Sequence, residues 1–273
     1  MKKILFATDF SKCANNAMDY ALGLARKAKA EIIVLHTILP VDAVDNNVYN
    51  MVFVPDYLQG RQEELSKWIL RFKRRPENNE LGIRGFCELG GLLPVMKDKI
   101  EEEGIDLVVM GTTGAGGFKG VLGSHAAMIS TAIDIPALFI PDGKTLPDKP
   151  KLAIGTDFIV KMDATNYQIF RELMRILGIK TIDVVSAIGK EGEKKRAVAE
   201  KNWTDNFPGL NFVFHYIHDN DAVRSLLHFV ESTGTHLVST VAHEHNFIYR
   251  WIIASSTERI VKKALVPILV LHG

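Results

Sequence analysis

Short apolar runs alternate with amphipathic stretches along the chain, and the alternation is written twice. Lys3–Thr8 is almost wholly apolar, as suits a strand buried on both faces. Ser11 offers an N-cap, and Ala14, Ala17, Met18, Ala21, Leu22 and Ala25 follow at helical spacing. Such small residues predict a helix lying close on a sheet. Ile32–Leu35 is a second buried strand, ending at His36 and Thr37. Strand, helix and strand with short links form the βαβ unit of a parallel sheet. Gln62–Arg74 then sets Leu65, Trp68, Ile69 and Phe72 on one helical face. Ile83–Leu89 reads as a strand, and Leu92–Glu103 as a helix with an acidic, exposed last stretch. Asp106–Met110 is a strand, Ser124–Ile133 a helix and Ala137–Ile140 the closing strand. Residues 38–58, with Pro40, Asn46, Asn47 and Pro55, are the least regular and are read as a functional or mobile loop.

The second half repeats this order. Lys151–Thr156 is a strand tipped by Asp157, and Ala164–Leu177 a helix closed by Gly178. Strands are predicted at Thr181–Ser186, Asn211–Ile217, His236–Thr240 and Pro267–His272. Helices are predicted at Glu193–Phe207, Ala222–Ser232 and Ser256–Leu265. The openings correspond residue by residue: Ile4–Phe10 is ILFATDF and Leu152–Phe158 is LAIGTDF. The closings do too, IPALFI at 135–140 and VPILVL at 266–271. The pattern predicts an α/β protein of two tandem Rossmann-like domains, each a five-stranded parallel sheet with helices on both faces. The first runs over 1–143 and the second over 149–273. The Pro/Gly-rich, charged segment 141–150 is the linker. The matched apolar closing strands would leave bare sheet edges unless they met, so the halves are expected to pack there as an intramolecular pseudo-dimer.

A length of 273 residues suits two domains. Lys and Arg number 33 against 32 for Asp and Glu, so nothing drives the chain electrostatically to nucleic acid or an anionic membrane. The basic run Arg71, Lys73, Arg74, Arg75 is read as a solvated helix end. Two cysteines outside any CxxC pair do not make a disulfide scaffold and suit a reducing cytoplasm. Cys13 lies in a first helical turn, either as a favoured thiolate or as a small apolar residue. No apolar run reaches the ~18 residues of a membrane span, and the N-terminus lacks a signal-peptide pattern.

Ligands of such sheets sit beyond the carboxyl ends of the strands. Asp9, Thr37 and Gly111 fall there. Glycines 111, 114, 116, 117, 120 and 123 precede Ser124, which opens a helix whose free N–H groups suit a phosphate. On spacing alone, a phosphate cradle and a merely flexible loop both remain open, as do a ligand role and a capping role for Asp9. Gly143-Lys144-Thr145 is no P-loop, because Leu138 stands where the first glycine belongs. His243 and His245 lack the spacing of a helical zinc pair. No nucleophile–base set and no paired catalytic carboxylates stand out.

These features together resemble the universal stress protein family: the opening ILFATDFS, Val34-Leu35-His36, the stretch 90–100, DLVVMGTTG at 106–114, Gly123-Ser124 and IPALFI. The resemblance covers the whole chain as a tandem member. It implies an adenine-binding role for Asp9 and the backbone at Thr37. It implies phosphate binding by Met110, Gly111, Thr113, Gly114, Gly123, Ser124 and His125. It also implies ATP or a related adenine nucleotide as a regulatory ligand in a cytoplasmic stress-response protein, with no metal beyond nucleotide-associated Mg and at most slow hydrolysis. Two departures stand against it. Eight residues separate Gly114 from Gly123, where the family pattern has nine. In the second half Val241, Glu244 and Ala254 stand opposite Gly111, Gly114 and Gly123, so that loop is degenerate. The alternative expectation is a nucleotide-free interaction or dimerisation module; association into a homodimer is left open.

Overall fold

The computed structural model describes residues 1–39, 54–112, 124–156, 164–187, 192–217, 222–242 and 266–272. Its strands are β1 (Lys3–Ala7), β2 (Glu31–Ile38), β3 (Ile83–Leu89), β4 (Leu107–Gly111) and β5 (Ala137–Ile140) in the first half. The second half holds β6 (Leu152–Gly155), β7 (Thr181–Ala187), β8 (Asn211–Ile217), β9 (Leu237–Ala242) and β10 (Ile268–His272). The helices are α1 (Lys12–Ala28), α2 (Val54–Lys73), α3 (Leu92–Glu103), α4 (Ser124–Ala132), α5 (Ala164–Leu177), α6 (Gly192–Asn206) and α7 (Ala222–Thr233). The helix expected over 256–265 lies outside the described residues.

All ten strands join one sheet in the order β3-β2-β1-β4-β5-β10-β9-β6-β7-β8. Each half contributes five strands in one order, mirrored across the middle. Every neighbouring pair is parallel except β5 with β10, which run antiparallel through Phe139↔Ile268, Leu138↔Leu269 and Ala137↔Val270. The expected meeting of closing strands is thus a backbone ladder. It turns two bare edges into the centre of the sheet.

Alternation along the strands sends side chains to two cores. Ile4, Phe6, Ile32, Val34, Leu107 and Val109 pack with Ala17, Met18, Trp68 and Phe72 of α1 and α2. Across the junction the same face continues through Leu152, Ile154, Leu269 and Leu271 to Ile169, Phe170 and Leu173 of α5. The opposite face packs Leu5, Ile33, Val108, Phe139, Val238 and Val270 against Met96 of α3, Ala126 and Ile129 of α4, and Leu226 and Val230 of α7. Burial on both faces is why these strands read as unbroken apolar runs.

Three expectations need correction. Residues 38–58 are not irregular throughout: β2 extends to Ile38, and α2 starts at Val54, with Pro55 in the first turn where its missing N–H costs nothing. Residues 40–53 lie outside the described residues. The basic run at the end of α2 is not wholly solvated: Arg75 pairs with Asp19 of α1 and lies 4.8 Å over the Phe72 ring. The end of α3 is not simply exposed either. Glu103 binds Arg84 at 2.9 Å, and its carbonyl accepts from Lys3 Nζ at 2.6 Å. Gly178, with φ of 68°, ends α5 in the left-handed region as its C-cap role demands. The segment joining β5 to β6 is tied down, because Asn16 Nδ2 donates to the carbonyls of Pro141 and Lys144 at 3.1 and 3.0 Å.

Candidate functional site

The strand order reverses between β1 and β4, and registry fixes what meets there. Ala7 pairs with Leu35 on one side and Met110 on the other. Asp9 and Thr37 each follow that row by two residues, and Gly111 by one. All three therefore stand at the carboxyl edge of the sheet, on adjacent strands. Ser124 and His125 open α4, and His125 is exposed. Thr113, Gly114 and Gly123 lie outside the described residues, so of the expected phosphate loop only its two ends are placed.

The turn after β1 is held from several directions. Thr8 N–H donates to Leu35 C=O at 2.9 Å, and Thr8 Oγ1 accepts from Phe10 N–H at 3.0 Å. Asp9 is exposed, and its Oδ1 accepts from Ser11 N–H at 3.0 Å. Phe10 has φ of 61°, a left-handed conformation uncommon for a bulky residue. Ser11 is the N-cap, accepting from Ala14 N–H at 3.1 Å. Asp9 thus orders the turn, Ser11 caps α1, and the Asp9 carboxylate still faces outward.

His36 and Arg61 flank this turn around Phe10, and sequence reasoning assigned none of the three a role in the site. His36 is 6% exposed. Its Nδ1 lies 2.9 Å from Thr8 C=O and its Nε2 3.2 Å from an Arg61 terminal nitrogen. A carbonyl only accepts and a guanidinium only donates, so Nδ1 carries the proton and Nε2 is bare. The ring is neutral in this arrangement. Burial pushes its pKa below the ordinary value, and the nearby Arg61 charge adds to this. The Phe10 ring lies 4.4 Å from the His36 ring, and the Arg61 guanidinium 5.6 Å from the Phe10 ring. An apolar strand ending in His-Thr was the available signal. Arg61, in the first half of α2, gave none.

Gly111 has a packing role of its own. A Cβ there would lie 2.8 Å from Cys13 Sγ, with Ala14 N at 3.5 Å. Only glycine lets β4 end against the first turn of α1. Cys13 is buried and its thiol lies 3.6 Å from Ile140 C=O, so it fills that turn as a small packing residue.

The second half replaces these features. Gly155 of β6 pairs with Thr240, as Ala7 pairs with Met110, which puts Val241 opposite Gly111. Val241 is 6% exposed, within the core. The buried positions of α1 from Ala14 to Ala25 recur with the same spacing in α5 from Asn166 to Leu177. Asn166 therefore takes the place of Ala14. It is fully buried, donates to Asp134 C=O at 2.9 Å and accepts from His272 N–H at 3.0 Å. Asp157, Glu244, Ala254 and the histidines at 243 and 245 lie outside the described residues. Among the described residues no group of three His, Cys, Asp or Glu side chains is placed to hold a metal ion. Nor is any described helix long and apolar enough to cross a membrane.

A model of the universal stress protein family matches residues 1–141. The chain belongs to that family. Sequence relatives include universal stress proteins of Synechocystis, 24% identical over 149 residues, and of Bacillus subtilis, 26% identical over 144 residues. Each match takes 50% of this chain and 96% and 97% of the relative, respectively, so one relative corresponds to about half of this universal stress protein. A universal stress protein of Archaeoglobus fulgidus has a similar fold over 99% of this chain and 98% of its own, with a TM-score of 0.69 at 17% identity. A functionally unknown Pseudomonas aeruginosa protein also matches, over 100% of this chain and 92% of its own, with a TM-score of 0.57 at 12% identity. At such identity these likenesses concern the fold, and they extend across both halves.

Proposed function

We propose that this universal stress protein is a cytoplasmic stress-response protein that holds ATP or a related adenine nucleotide in its first half as a regulatory ligand. The observation that carries this reading is the register, which gathers Asp9, Thr37 and Gly111 on one carboxyl edge beside the switch in strand order. The residues present fit such a group. Asp9 presents an exposed carboxylate to an adenine amino group, and Thr37 offers backbone. Met110 and Gly111 precede Thr113 and Gly114 in the sequence, and Gly123 precedes Ser124 and His125, which open α4, whose amino end favours phosphate. This reading calls for no metal beyond nucleotide-associated Mg.

In this reading the second half is a packing partner, the counterpart of the other subunit in a dimer. The two domains are taken as 1–143 and 149–273, with 141–150 between them. Val241 and Asn166 occupy the space that glycine and alanine leave in the first half, which argues against a second nucleotide.

Mass spectrometry of small molecules released from the purified protein tests the reading, followed by calorimetric titration with ATP, ADP and AMP. Asp9→Ala should weaken adenine-nucleotide binding by roughly 1–3 kcal/mol, the cost of leaving a buried polar partner unpaired. Asp157→Ala should leave it unchanged, and Gly123→Val should abolish it. If wild type binds none of the three at millimolar ligand, the one-residue-short loop has prevailed and a nucleotide-free interaction module is the better account.

A further inference from the structure

We propose that His36 and Arg61 form a proton-operated latch that fixes the turn Thr8–Ser11, so that the adenine side of the site is in working order only while the His36 ring is neutral. The proposal rests on the reading of that site as a nucleotide site and adds its regulation.

The geometry supports it in three ways. First, His36 joins two elements: Nδ1–H holds the carbonyl that begins the turn, and the bare Nε2 receives Arg61 from α2. Second, the turn leans on the same pair, because the Phe10 ring lies against the His36 ring and beneath the Arg61 guanidinium. Asp9 and Thr37 are the immediate neighbours of Phe10 and His36. Third, Arg61 is weakly secured elsewhere. Glu64 accepts from it at 2.5 Å on the exposed face of α2, while its Nε is shut from solvent without a hydrogen-bond partner among the described residues. Losing the His36 contact therefore leaves Arg61 tied mainly to Glu64 on the solvent side, free to swing off Phe10.

Protonation puts a hydrogen on Nε2. Two donors and two positive charges then face each other across 3.2 Å, an arrangement no reorientation of the ring repairs while Nδ1–H stays on Thr8. The described charged groups near the ring are Arg61 and Glu64 on α2 and Asp9 beyond β1; Cys87 is its register partner on β3. Burial is the largest influence against the charged ring, with Arg61 adding to it; the hydrogen bond to the Thr8 carbonyl opposes them first, and the two carboxylates after it. Arg61 must move away, and the cover over Phe10 goes with it.

The test measures adenosine binding by calorimetry between about pH 8 and about pH 5.5, the range in which histidines titrate. Adenosine carries no phosphate, so the extra positive charge cannot mask the effect by attracting one. Affinity should fall at least about fivefold on acidification, the lower end of usual coupling between sites. Arg61→Met, which keeps the stem and removes the cation, should be flat across the same range. In parallel, NMR follows the His36 ring and the Phe10 and Ser11 amides without ligand; the amides should move with the ring in wild type and not in Arg61→Met. Adenosine affinity that is flat while His36 titrates, a pH step that survives Arg61→Met, or a ring that stays neutral until the protein unfolds would overturn the latch. If neither adenosine nor ATP binds at any pH, the nucleotide reading falls, and the amide shifts alone decide the latch.

Discussion

Helices α1 and α5 occupy matching places over the sheet with the same spacing of buried positions, yet they are built from different stock. From Ala14 to Ala25 the face of α1 reads Ala, Ala, Met, Ala, Leu, Ala; that of α5 reads Asn, Ile, Phe, Leu, Met, Leu. Small side chains let α1 settle against the strands, and Gly111 completes the fit because even one methyl there would strike Cys13. On the other side Val241 and Asn166 fill the corresponding volume. Glycine and alanine stand at these positions in the first half, and a buried valine and a buried, hydrogen-bonded asparagine in the second. A duplicated fold can thus keep one topology while the two halves differ in the side chains beneath corresponding strand ends, since strand order and registry are set by apolar alternation that both halves share.

The difference is tested most strongly by cavities. Phe170 is fully buried under α5, and Phe170→Ala should cost about 3–5 kcal/mol by denaturant unfolding. Met18 is its match in α1, also fully buried, where the neighbouring alanines leave less volume to lose. Met18→Ala should cost less. Equal losses would mean that side-chain size does not distinguish how the two helices are seated.

The next effect is smaller and reverses the sense. Gly111→Ala moves the first half one step towards the second. It should destabilise by about 1–3 kcal/mol, as overpacking does. The cost should shrink in a Cys13→Ala background, because Sγ is the atom that the new Cβ meets at 2.8 Å, while the next contacts are at 3.4 Å and beyond. A double-mutant cycle on thermal melts reads the coupling. Independent, additive losses would show that Gly111 is required for some reason other than the approach of α1.

Much of this was legible in the sequence, because strands buried on both faces leave uninterrupted apolar runs and a duplicated chain supplies its own alignment. The meeting of β5 with β10 followed from two matched apolar ends with nothing else to cover them. The start of α2 was missed because Pro55 fell in the stretch 38–58 read as an irregular loop, although a proline in the first turn breaks nothing. The candidate site was legible where it depends on strand ends, as at Asp9, Thr37 and Gly111. His36, Phe10 and Arg61 were not, since their association arises from a residue in the left-handed region and from a side chain reaching over from α2. Neither leaves a periodic trace. Asn166 was equally hidden: a polar residue on an apolar helical face gives no sign that Asp134 and His272 await it.

The smallest expected effect separates the halves by pH. Registry places Ser186 of β7 where His36 stands in β2, and the adjoining bond is the same in both: Thr156 N–H donates to Val185 C=O as Thr8 N–H donates to Leu35 C=O. Ser186 does not titrate; His36 does, from below its ordinary value of 6.5. The unfolded chain therefore binds a proton at His36 before the folded chain will, and between the folded value and 6.5 the unfolded state holds more protons. Stability must then be complete above 6.5 and decline as pH falls through that window. The depressed carboxylates act lower down. Glu31, held below 4.5 chiefly by the hydrogen bond from Arg84, loses its contribution only as pH falls past that value. His36→Ser makes the first half resemble the second and should flatten the urea midpoint between about pH 7.5 and about pH 5.5, leaving the later acid loss in place. A wild-type midpoint already flat over that interval would mean that the His36 ring is no harder to protonate in the folded protein than in the unfolded chain.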